Sequence, residues 1–162
     1  MRALILYMSR HGTTEKVALY LQQQLPFPVD LHRLDAASPA PDLQPYDLVV
    51  VGGSVYAGQI QTGIKDFCRT HQQELLGKQL GLFICCMNEK QAEAVMQDAY
   101  PEALRRHARA TGVMGGELLF EKMSFWEKMV IRSVTGQQES VSKIKYAEID
   151  RFAEAMAPVS VL

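Results

Sequence analysis

Residues 9–14 read Ser-Arg-His-Gly-Thr-Thr, and Glu15 and Lys16 follow in what patterns as the first turn of a helix. Hydroxyls at Ser9, Thr13 and Thr14 can donate to phosphate oxygens, Gly12 permits a tight turn with close backbone approach, and the exposed amides of a helix N-terminus favour an anion. Arg10 can add charge to the same loop. The stretch lacks the lysine of a GxxxxGK[ST] phosphate loop and lacks GxGxxG, which disfavours a nucleoside triphosphatase and a dinucleotide site; a monophosphate fits better. The same hydroxyls would also serve as plain helix caps. His11 reads as a solvated or helix-capping residue, not a metal ligand.

Two further loops carry groups suited to a planar ligand. In residues 52–58, Gly-Gly-Ser-Val-Tyr-Ala-Gly, Tyr56 offers a flat apolar face, Gly52, Gly53 and Gly58 let backbone approach a ring, and Ser54, Val55 and Ala57 complete the contact candidates. The alternative is an exposed aromatic in an ordinary glycine-rich turn. Cys86, Met87 and Asn88 would meet the other side of such a ring, with the Asn88 amide available to a polar edge. Cys85 and Cys86 are neighbours in a strand-like run, so they point to opposite faces and are expected to behave as small buried hydrophobes. With Cys68 they make three cysteines without CxxC spacing, which argues against a disulfide framework or a zinc site. Histidines at 11, 32, 71 and 107 show no metal-ligand pattern, and no Ser-His-Asp or His-Cys arrangement can be assembled. No catalytic side chain and no metal site is assigned; the chemistry falls to a cofactor.

These loops need a scaffold that gathers them. Residues 3–8, 47–53 and 80–87 are apolar runs without polar alternation, as in strands covered on both faces of a parallel sheet. Between the first two, residues 14–25 carry Val17, Ala18, Leu21 and Leu25 on one helical stripe, and residues 29–33 are a weaker strand. Ile64, Phe67 and Cys68 suit a helix. So do Ala92, Val95, Met96 and Ala99, with a break near Pro101. Gly115 and Gly116 precede an expected fifth strand at 117–120, and residues 145–156 carry Ile149, Phe152, Ala153 and Met156 as a closing helix. About five strands alternating with helices make a doubly wound α/β fold, in which ligands bind beyond the carboxyl ends of the strands. The proline-bearing stretch 36–45 is too short for an interdomain linker, so one domain over 1–162 is expected.

Composition narrows the classes. The 162 residues are 48% hydrophobic and 22% charged, those of a soluble globular chain. Seventeen basic residues against eighteen acidic leave a formal charge of −1, with no basic stripe for nucleic acid. The apolar run near the N-terminus is shorter than a signal-peptide core or the ~20 residues of a membrane span, so a cytoplasmic protein is expected.

The 9–14 loop, directly after the first strand, resembles that of the flavodoxin family, whose pattern [S/T]-x-[T/x]-G-x-T is matched by Ser9, Gly12 and Thr14 and departs at position 11, where His stands in place of the frequent Thr. The resemblance implies a flavodoxin-like five-stranded parallel sheet of order 2-1-3-4-5 with helices on both faces. It further implies FMN as cofactor, with residues 9–14 on its phosphate and residues 54–58 and 86–88 around its ring. A peptide in the second loop would be able to flip with the redox state of the flavin. An insert at about 121–145, with an aromatic pair at Phe125 and Trp126, is similar to that of flavodoxin-type, menaquinone-dependent protoporphyrinogen dehydrogenases, as is Gly52-Gly53-Ser54-Val55. That likeness implies electron flow from a reduced tetrapyrrole through FMN to a quinone. The other reading is an electron carrier between redox proteins, which the near-neutral charge disfavours. In the insert, Met123, Phe125, Trp126, Met129, Val130, Ile131 and Val134 form a wide apolar face, expected to pack on the domain. Contact with a membrane surface, quinone or planar substrate is the alternative. Lys122, Lys128 and Arg132 are offset by Glu121 and Glu127, which weakens the case for peripheral contact with anionic lipid.

Overall fold

A computed structural model describes residues 1–135 and 140–158, of which 134 and 135 by backbone alone. Along the chain run β1 (Ala3–Tyr7), α1 (Thr13–Gln24), β2 (Val29–Arg33), β3 (Leu48–Tyr56), β4 (Gln59–Ile60), α2 (Thr62–Thr70), α3 (Gln72–Leu76), β5 (Gln79–Cys85), α4 (Glu89–Ala99) and α5 (Glu102–His107). There follow β6 (Ala110–Val113), β7 (Gly115–Leu118), a single 3-10 turn (Phe120–Lys122), α6 (Phe125–Thr135), β8 (Val141–Ile144) and α7 (Tyr146–Met156). β2, β1, β3, β5 and β6 lie side by side in that order, every pairing parallel. This is the expected order, with β4 an added antiparallel strand on the end of β3.

The apolar runs become central strands because each strand sends alternate side chains to opposite faces and both faces are covered. Leu4 and Leu6 join a core with Val49, Val51, Ile64, Phe67, Leu82 and Tyr100 beneath α2 to α5. Ala3, Ile5 and Tyr7 join the other, with Val17, Leu21, Phe83, Phe152 and Met156 beneath α1 and α7. Cys85 and Cys86 belong to different cores, as their adjacency requires. Pro101 separates α4 from α5, because its ring cannot continue a helix.

One strand is displaced from its expected place. The fifth parallel strand is Ala110–Val113, whereas Gly115–Leu118 leaves the sheet and pairs antiparallel with β8. The departure is made at Gly115, whose φ of 74° is left-handed and where a Cβ would stand 2.0 Å from the Lys143 carbonyl oxygen. β7 and β8 thus bracket α6.

Candidate functional site

β1, β3 and β5 are parallel neighbours, so the chain leaves all three at one end of the sheet. There the loop after β1, the far end of β3 and the residues after β5 enclose a cavity of about 230 Å3. It sits where the chain winds from β1 to opposite sides, the place at which open α/β sheets bind ligands. Of the sequence candidates, Ser9, Arg10, His11, Thr13, Ser54, Val55, Tyr56, Ala57, Gly58, Cys86, Met87 and Asn88 line it; Gly12 and Thr14 do not.

Gly12 shapes the first loop from outside the cavity. Its φ of 93° turns the chain into α1, its N–H donates to Ser9 Oγ at 2.9 Å, and its carbonyl accepts from the Lys16 N–H at 3.1 Å. No side chain caps α1, so the first amides of the helix have no side-chain partner at its positive end. Thr14 is buried, its side chain against the Cys85 thiol. The loop's other polar groups are engaged. His11 Nε2 lies 2.7 Å from Glu127 Oε2, and Arg10 Nε donates to the same oxygen at 3.1 Å. Thr13 Oγ1 and Lys16 Nζ donate to Glu117 Oε1 at 3.0 and 3.1 Å. Burial alone would raise both carboxyls, but the hydrogen bonds outweigh it and hold each below the usual carboxylate range, Glu117 through Ser142, Lys16 and Thr13, Glu127 through His11 and Arg10.

The second loop is a hairpin. β3 runs past its two glycines to Tyr56 and reverses at Ala57 and Gly58, whose φ values of 50° and 78° are the paired left-handed turn that suits two-residue hairpins. Ser54 is fixed by Gln61, which accepts from its N–H at 2.9 Å and donates to its Oγ at 2.5 Å. Over the Tyr56 ring lies the Arg10 guanidinium, its carbon 4.0 Å from the ring centroid, so the tyrosine carries a cation on one face. On the third loop, Asn88 Oδ1 accepts from the Lys90 N–H and caps α4, so its oxygen is committed and its NH2 group is the edge left to a ligand.

Sequence reasoning missed Glu117, Gln91 and Gly116 as cavity residues. Gly116 could be sought by space, since a Cβ there would come 2.8 Å from Met87, but lone acidic or amide residues on polar segments give no pattern. The insert departs from its expected packing. Met123, Val130 and Ile131 reach the cavity wall, yet Phe125 and Trp126 are 68% and 73% exposed, and Met129 and Val130 are also in part exposed. A helical stripe reports that residues share a face, not that the domain has a matching surface to cover it. The Val134 side chain lies outside the described residues.

Thiol chemistry has no footing here. Burial pushes the Cys85 and Cys68 thiols up to about 12 and raises that of Cys86. All three are free and buried. Because the thiolate is the reactive form, the folded protein is expected to react with a disulfide reagent at pH 8 orders of magnitude more slowly than the urea-unfolded chain, which should release three equivalents promptly. A fast-reacting thiol in the folded protein would overturn this. Among the described residues no group of His, Cys, Asp or Glu is placed to hold a metal ion.

With the fold and this strand-end cavity in place, the comparisons with known proteins converge. The family described as flavodoxin domain matches residues 4–143. The chain belongs to the flavodoxin family. Its fold is similar to that of oxidised flavodoxin 1 from Bacillus cereus, with 20% identity and a TM-score of 0.53 over 72% of this chain and 82% of that one. It is also similar to a flavodoxin, WrbA-like protein from Agrobacterium tumefaciens, with 13% identity and a TM-score of 0.57 over 96% and 92%. Among curated proteins it is 20% identical to protoporphyrinogen IX dehydrogenase [quinone] of Escherichia coli K12, over 94% of this chain and 91% of that protein.

Proposed function

We propose that the strand-end cavity of this flavodoxin-family chain binds FMN and that the protein is an FMN-dependent oxidoreductase of the protoporphyrinogen dehydrogenase type, passing electrons from a reduced tetrapyrrole to a quinone. The observation that carries the flavin reading is the joining, in one cavity, of an uncapped helix N-terminus at one end with an aromatic hairpin and an amide-bearing loop at the other. The residues present fit the group. The uncapped amides of α1, the loop hydroxyls, His11 and Arg10 are donors suited to a phosphate monoester, and the Thr14 hydroxyl lies buried beside them.

In this reading residues 9–14 hold the phosphate, Tyr56 and its hairpin neighbours 54–58 lie against the ring, and residues 86–88 meet its other side, with the Asn88 NH2 donating to a carbonyl of the ring edge. Bound FMN would supply the electron-accepting and electron-donating chemistry. The chain's own role is to bind, orient and keep water out, for which Val55, Met87, Val95 and Ile131 are the apolar wall. No protein acid or base is assigned. The tetrapyrrole and quinone rest on the likeness to the E. coli dehydrogenase and on the insert. No helix among the described residues is long and apolar enough to cross a membrane.

Two measurements test this. Protein purified from cells should show a flavin absorbance band or take up added FMN; a colourless protein that takes up none ends the reading. The loaded protein should then be reduced anaerobically by protoporphyrinogen and reoxidised by a menaquinone analogue. Flavin binding with neither half-reaction would make the protein a carrier between redox proteins instead.

A further inference from the structure

Glu127 stands on α6, far from the 9–14 loop in sequence, yet its carboxylate makes the two contacts that a bound anion would seek there. A single oxygen of it takes both His11 Nε2 and Arg10 Nε, and its side chain is only 17% exposed. The same helix narrows the cavity, because Val130 and Ile131 line it. The resulting 230 Å3 is below the ~300–1,000 Å3 usual for a small-molecule site. One helix thus both engages the side chains of the first loop and narrows the cavity.

We infer that Glu127 is an internal stand-in for the ligand's phosphate: it takes the His11 and Arg10 contacts of the loop, and a phosphate monoester must displace it, with α6, to take them instead. This rests on the flavin reading above. Arg10 Nε has one N–H and His11 Nε2 at most one, so an oxyanion that takes these two positions takes them from Glu127. A phosphate monoester beside an ionised carboxylate would place like charges within a few ångströms, which both resist.

The turn before α6 is held by contacts of its own, with Arg132 of α6 over the Phe120 ring. Phe120, buried, anchors the turn before α6, and its N–H donates to Ser140 Oγ at 2.9 Å. Lys122, in that anchored turn, hangs over Gly12, where a Cβ would lie 3.4 Å from its Nζ. Thus a cation stays with the loop, while the anion rides on the helix beyond Ser124. Phe125 and Trp126 begin that helix, so loading would re-aim the exposed aromatic pair.

The test is a comparison of FMN with riboflavin, which carries the same ring and no phosphate, by equilibrium titration of the apoprotein. Glu127→Gln and Glu127→Ala are each expected to bind FMN about tenfold more tightly than the wild type while riboflavin affinity moves less than twofold. Glu93→Gln, a charge change elsewhere on the surface, should alter neither. Melting curves on every variant confirm folding, and two substitutions keep the test decisive if one of them destabilises the chain. Unchanged or weakened FMN binding in the folded Glu127 variants would overturn the inference and make Glu127 a residue that positions His11 for the phosphate. An equal gain for both flavins would also overturn it, since that reports a widened ring site. If wild type and variants alike bind neither flavin, the cofactor reading itself fails, an outcome distinct from both.

Discussion

Alanine in place of Gly52 is expected to destabilise the protein by about 3 kcal/mol, at the upper end of overpacking costs, and to lower its melting temperature by roughly 6–12 °C for a chain of this size. A Cβ on Gly52 would lie 2.0–2.4 Å from three atoms of the Phe83 ring, its partner across the β3–β5 pairing. Such a clash is cheap only where the neighbour can swing away, and Phe83 cannot. It is fully buried, its ring meets Phe152 edge-on with centroids 6.2 Å apart, and its carbonyl accepts from the Tyr100 hydroxyl at 2.6 Å. Thermal melts of Gly52→Ala, Phe83→Leu and the double variant form the check. The double variant should be more stable than Gly52→Ala alone, because the smaller side chain vacates the space. Simple additivity of the two losses would show that the glycine serves something other than the ring.

Valine at Gly12 should weaken FMN binding at least a hundredfold and leave riboflavin binding nearly unchanged. A β-branched residue at a φ of 93° is strained by ~1–2 kcal/mol, and the loop relieves that strain by abandoning the turn into α1. With the turn go the Gly12 N–H to Ser9 contact and the alignment of the α1 amides, each charge-assisted bond to phosphate being worth about 1.5–3 kcal/mol. Two such bonds account for the expected factor. Flavin titrations of wild type and Gly12→Val decide the matter. Parallel loss of FMN and riboflavin would mean that the loop supports the ring, and no loss at all would remove it from the site.

The regions of this molecule that could be read from sequence are those in which one physical demand repeats along several residues. β1, β3 and β5 stood out because strands buried on both faces must be apolar at every position, and Ser9 to Gly12 stood out because a turn, hydroxyls and a helix start coincide. β6 escaped because its four residues, Ala-Thr-Gly-Val, are too few and too mixed to show a pattern, so the expected strand slid to the next glycine-flanked stretch. Glu117 and Glu127 escaped for a different reason. Each reaches the first loop from over a hundred residues away, and a single carboxylate in a polar segment has no local signature of its long-range partner. The aromatic pair of α6 was visible as chemistry but not as exposure, since exposure is a property of the surroundings.

Leu118 and Val141 face one another in the β7–β8 pairing, so the chain that departs for α6 returns within about 5 Å, the spacing of adjacent strands. The excursion therefore begins and ends at one point on the scaffold, and its length imposes no strain on the parallel sheet. Such an arrangement separates inheritance of the flavodoxin frame from inheritance of what is mounted on it. The segment between β7 and β8 can be lengthened, shortened or exchanged by recombination while the frame keeps its register, which makes it the place where members of such a lineage can diverge in whom they meet.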